Sequence, residues 1–127
     1  MKMRTNTLFI LVLMVSGFGL SQKKNVTDAA MLMKKYSPMA GAEKAKETVT
    51  KAKSFIDLAA ANEETKNGMK MHLYRGMVYY ALIEVAQFDA MSGNTPDELL
   101  LEEYQTISME SFAQVLNDPK GKYTQDA

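Results

Sequence analysis

The chain has 127 residues, enough for one small domain, with fifteen basic and fifteen acidic side chains and no cysteine. The charge balance leaves no dominant basic face for nucleic acid. The missing cysteine removes disulfides, thiolate nucleophiles and thiolate metal sites from consideration. The balance hides a division: ten lysines against six acids from Lys23 to Lys70 give +4, and three basic residues against nine acids from Met71 to Ala127 give −6. Such polarity belongs either to ordinary solvated helix faces or to halves, or neighbouring copies, that attract one another.

At the start, Lys2 and Arg4 precede an apolar run from Leu8 to Val15, and Gly19 and Ser21 then stand two apart. This is the pattern of a signal peptide over residues 1–21, with Gln22 as the first mature residue. The apolar run falls short of the roughly 20 residues that cross a bilayer. With no lipobox cysteine, the expectation is a periplasmic or secreted protein that keeps no stable membrane span after cleavage.

From residue 22 on, no segment alternates as a strand does, and an all-α fold is expected. Thr27-Asp28 can cap a first helix running through Ala29, Leu32 and Met33 to Tyr36, before Ser37-Pro38 stops it. After Gly41 a second helix is marked by Ala45, Val49, Ala52, Ile56 and Ala59, which recur every three or four positions. Glu47 and Lys51 are spaced to pair on its outer side. Beyond the polar break from Asn62 to Gly68, a third helix over about 69–88 is apolar on most sides, with Leu73, Met77, Val78, Leu82 and Val85. Thr95, Pro96, Asp97 and Glu98 signal a fourth N-terminus. From there Leu100, Tyr104, Ile107, Ser108, Phe112 and Val115 are expected to face inward, to about Leu116. Residues 122–127 resemble the start of a further helix.

Two hairpins, about 27–61 and 69–117, carry a repeated pattern. In the first, Leu32 and Tyr36 lie four apart and are followed by Ala45, Val49 and Ala52. In the second, Gly76 and Tyr79 are followed by Ser108, Phe112 and Val115, then Pro119. The spacing resembles the tetratricopeptide repeat, in which small positions let paired helices approach and large ones plug the gap to the next. Lys-Ala-Lys on the second helix and KGKYTQDA at the end are similar to exported repeat proteins of Bacteroidetes-type envelopes. Against the family pattern, Met33 takes a glycine position, Arg75 a leucine position and His72 a tryptophan position.

The resemblance implies a right-handed superhelical array of two hairpins, 22–127, with no enzymatic activity and no cofactor. It implies a protein or peptide partner bound along the first-helix side. Carried over position by position, that side holds Lys34, Lys70, Leu73, Met77 and Tyr80, a set suited to an acidic or C-terminal peptide.

Other chemistry competes for the same residues. His72, the one histidine, could act as a base or ligand, but no serine–acid arrangement or ligand motif surrounds it, and a spacer role is simpler. Met69-Lys70-Met71-His72 could offer soft ligands to copper(I), the basis of an alternative reading as a small bundle binding a metal or small ligand; Met69 and Met71 nevertheless point to different sides of a helix. Asp97, Glu98, Glu102 and Glu103 crowd a helix N-terminus, where capping accounts for them. No Gly-x-Ser-x-Gly elbow or phosphate loop is present.

Overall fold

The computed structural model describes residues 23–127, and the expected signal peptide lies outside the described residues. Four helices and no strand make up the described chain: α1 (helical over residues 23–35), α2 (Ala42–Ala61), α3 (Met69–Met91) and α4 (Glu98–Leu116). A single 3₁₀ turn, Pro38–Ala40, joins α1 to α2.

Local chemistry sets the boundaries. Ser37 accepts the Met39 amide and Pro38 begins the 3₁₀ turn, where its missing N–H is no loss. Gly41 then turns the chain into α2 with φ at +109°, a conformation that disfavours any residue with a Cβ. Between α2 and α3 the Thr65 hydroxyl is buried and donates to the Ala59 carbonyl at 2.6 Å, satisfying an open helix end. At α4 the Asp97 carboxylate accepts the Leu100 amide at 3.2 Å, as a capping aspartate should.

The expected cap at Thr27-Asp28 is instead mid-helix. Thr27 donates back to the Lys23 carbonyl at 3.3 Å, and Asp28 pairs with Lys24 one turn earlier at 3.8 Å. These are the bonds of residues inside a helix that has already begun.

α2 buries Ala45, Val49, Ala52, Ile56 and Ala59, the five residues of its predicted stripe. Val49 and Ile56 are wholly shielded, each a gain of roughly 1.5–3 kcal/mol from apolar burial. The stripe packs into one core with Val26, Ala29 and Met33 of α1 and Met71, Val78, Tyr79, Ala81 and Val85 of α3, and Leu32 and Tyr36 lie against its edge. α3 makes the principal contacts with both α2 and α4, while α2 and α4 have no comparable contact with each other. α3 is therefore buried on several sides, and its sequence shows little helical periodicity.

α4 seats on α3 through Ser108, Ser111 and Val115. The Ser108 hydroxyl donates to the Gly76 carbonyl at 2.9 Å, and a Cβ on Gly76 would stand 2.7 Å from two Phe112 ring carbons. The glycine is thus the point where the second hairpin closes. Leu100, expected inward, is 40% exposed because α2 does not extend its packing to that flank of α4. The expected Glu47–Lys51 pair does not form; α2 pairs Lys53 with Asp57 at 2.8 Å instead. Of the ion pairs among the described residues, Lys46–Asp89 at 3.8 Å links the basic to the acidic half, and at 65% exposure of Lys46 it adds little stability. Residues 122–126 form turns, with Ala127 N–H donating to the Tyr123 carbonyl. No helix among the described residues is long and apolar enough to cross a membrane.

Candidate functional site

Helical register divides α3 into two working faces. On one, Tyr79 is buried and donates its hydroxyl to Asp57 at 2.6 Å, beside the Lys53–Asp57 pair. Its ring meets Tyr104 of α4 edge-on at 5.4 Å, with the Arg75 guanidinium 5.7 Å from its centroid. Burial, then the Asp57 hydrogen bond, pushes the Tyr79 hydroxyl above the usual tyrosine range, so it stays a donor. This network joins three helices and is structural.

On the other face, Met77, Tyr80 and Glu84 follow at spacings of three and four and look toward α1. With Met33 of α1, Tyr36 just past its end and Phe112 of α4 they line a cavity of about 370 Å³, whose rim Ala127 also approaches. Tyr80 and Phe112 line a second cavity as well, about 510 Å³ between α3 and α4, together with Ile83, Gln87, Gln105 and Met109. Tyr80 and Phe112 are common to both, so the cavities lie side by side as a two-part groove across α1, α3 and α4.

The groove is apolar and aromatic with few polar groups, the usual make-up of a binding site. Tyr80 is 56% exposed in a place where a free ring would otherwise seek cover. The Tyr36 hydroxyl is buried without a hydrogen-bond partner, and burial followed by the charge of Glu84 pushes its pKa up to about 12. Glu84 is half-buried and makes no ion pair among the described residues.

The five positions expected to line the groove separate on folding. Met77 and Tyr80 are in it. Leu73 is only 4% exposed and belongs to the interior. Lys34 is exposed and lines neither cavity, and Lys70 lines a small depression near the start of α3 with Lys23, Thr65 and Gly68. The pair of lysines that would have greeted an acidic peptide is therefore not assembled. In their place stand Glu84, Met33 and two residues expected only to pack, Tyr36 and Phe112. Glu84 was legible in principle, since it follows Met77 and Tyr80 at i+7 and i+4.

The other packing positions, Leu32, Ala45, Val49, Ala52, Gly76, Tyr79 and Val115, are buried or lie against the core. Met71 is 2% exposed in that core, so Met69, Met71 and His72 do not present one soft-ligand face. His72 is half-buried with Nδ1 unpartnered; burial first and the Arg75 charge second hold its pKa below the ordinary value. No group of three or more His, Asp or Glu side chains among the described residues is placed to hold a metal ion.

No known family model, curated protein or solved structure matches the chain.

Proposed function

We propose that the protein is a non-catalytic binding module of tetratricopeptide type, exported to the bacterial cell envelope, that holds a partner protein by an extended segment lying in the α1–α3–α4 groove. The observation that carries this reading is the pair of adjacent cavities that share Tyr80 and Phe112, apolar surface left open beside a well-packed core. Methionine and tyrosine walls adapt to varied side chains while giving up little conformational freedom on binding. The order of contacts, with α3 central and α2 and α4 apart, supports stacked hairpins over a closed bundle in which every helix touches two neighbours. Export rests on the pattern of residues 1–21.

The test is selection of short peptides from a displayed library, repeated on Tyr80→Ala. Peptides enriched on the native protein and lost on the variant support the groove. Enrichment that ignores the substitution, or no enrichment, removes it.

A further inference from the structure

The groove carries a chemical signature that its expected lysines would have concealed. We propose that the cavity between α1 and α3 receives the cationic head of a basic side chain, for which lysine is the probe, so that the partner segment is basic. This rests on the peptide-groove reading above and names the class of peptide.

Glu84 is the one ionisable carboxylate or amine side chain lining this cavity, and it has no cation within 4.0 Å among the described residues. A half-buried carboxylate in an apolar wall is attracted to an incoming cation more strongly than one in open water. An acidic ligand would have to place like charge beside it. Three rings, those of Tyr36, Tyr80 and Phe112, share the same walls, and aromatic rings around a cation supply further attraction. The lysine stem is apolar, and Met33, Met77 and Ala81 offer it a matching surface while the head reaches Glu84. An arginine guanidinium, whose planar fork matches the two oxygens of one carboxylate, would serve as well as a lysine ammonium, so the wall selects a basic side chain. Beyond the cavity, the −6 balance of residues 71–127 draws cations toward this half of the molecule. The raised pKa of Tyr36, to which Glu84 contributes, is consistent with the same negative potential.

The experiment uses the protein labelled at its methionine methyl groups and followed by NMR. Met33 and Met77 report from the cavity, and Met39 and Met91, 86% and 81% exposed, report from elsewhere. The probes are short acetylated, amidated peptides of alanine and serine with a single central lysine, norleucine or glutamate. The lysine peptide should shift Met33 and Met77 and leave Met39 and Met91 in place, with a dissociation constant about fivefold or more below those of the other two. Glu84→Gln should abolish that preference. Should that variant misfold, raising the salt concentration on the native protein should weaken the lysine peptide and spare the norleucine one. If the glutamate peptide binds as well as the lysine peptide at Met33 and Met77, the charge assignment is overturned and the groove stands. If no peptide moves either methyl, both fall.

Discussion

Tyr79 and Tyr80 are consecutive on α3 and have opposite fates. Tyr79 is 4% exposed, bonded to Asp57 and met edge-on by Tyr104; Tyr80 is 56% exposed, makes no side-chain hydrogen bond among the described residues and stands between two cavities. One step along a helix turns a side chain by about 100°, so neighbours in sequence can serve different surfaces. At Tyr79 the face is closed: the hydroxyl is bonded to Asp57 and the ring is covered. The face of Tyr80 is unfinished, with an open ring, an unpaired carboxylate and an unpartnered phenol.

The largest effect should come from crowding the closed face. Gly76→Val would drive a branched side chain into the Phe112 ring, which already lies 2.7 Å from where a Cβ would be. The overpacking and the lost helix seating should lower stability by about 1–3 kcal/mol, read as a fall in the urea midpoint at unchanged slope. Gly76→Ala should do less, because alanine gains up to about 1 kcal/mol of helix propensity over glycine. A Gly76→Val protein as stable as the native one would mean that α4 does not seat on α3 at this glycine.

The tyrosine pair gives the sharper contrast. Tyr79→Phe removes a hydrogen bond to a carboxylate, but Asp57 keeps Lys53 at 2.8 Å and remains about one-third exposed. The expected loss is therefore about 1 kcal/mol, near the middle of the usual range for a hydrogen bond. Tyr80→Phe touches no hydrogen bond and should stay within about 0.5 kcal/mol of native stability. Equal losses in thermal unfolding of the two variants would erase the distinction between the faces.

How much of this was legible follows from how many neighbours each helix has. α2 meets the core on one stripe, so the spacing of Ala45, Val49, Ala52, Ile56 and Ala59 declared it. Gly76 and Tyr79 were legible because a glycine three residues before a tyrosine on an apolar helix suits a close approach and a plug. α3 as a whole was not, since burial on several sides removes the period that tells one face from another. Leu73, carried into the groove from the repeat's spacing, is interior, and no period along α3 marked it so. Leu100 shows the converse: a leucine's hydrophobicity does not say whether the chain provides a neighbour on that flank. Charges were the hardest. Lys34 and Lys70 matched the expected positions by number, yet a long exposed side chain goes where water and register allow. The carboxylate that lines the cavity belongs to a residue that had been given no role.

His72 provides the smallest and most selective test, because it lies seven residues before Tyr79 and shares that closed face. Its folded pKa is depressed, chiefly by burial and then by the Arg75 charge, against a hydrogen bond with the Lys66 backbone that acts the other way. A depressed value means that the folded protein prefers the neutral ring, whereas the unfolded chain protonates near the ordinary value of about 6.5. Unfolding then takes up a proton below that pH, so this contribution is present above about 6.5 and is lost as pH falls through the folded value. The melting temperature should decline gently between about pH 7 and pH 5, above the range where most carboxylates titrate. In His72→Gln that slope should flatten, because the ring that charges on unfolding is gone. If the slope persists in the variant, another group carries it and His72 is not held neutral by the closed face. If instead the native melting temperature rises as pH falls, the imidazole gains a partner on protonation, and the interior beside Arg75 is more open to anions than its packing implies.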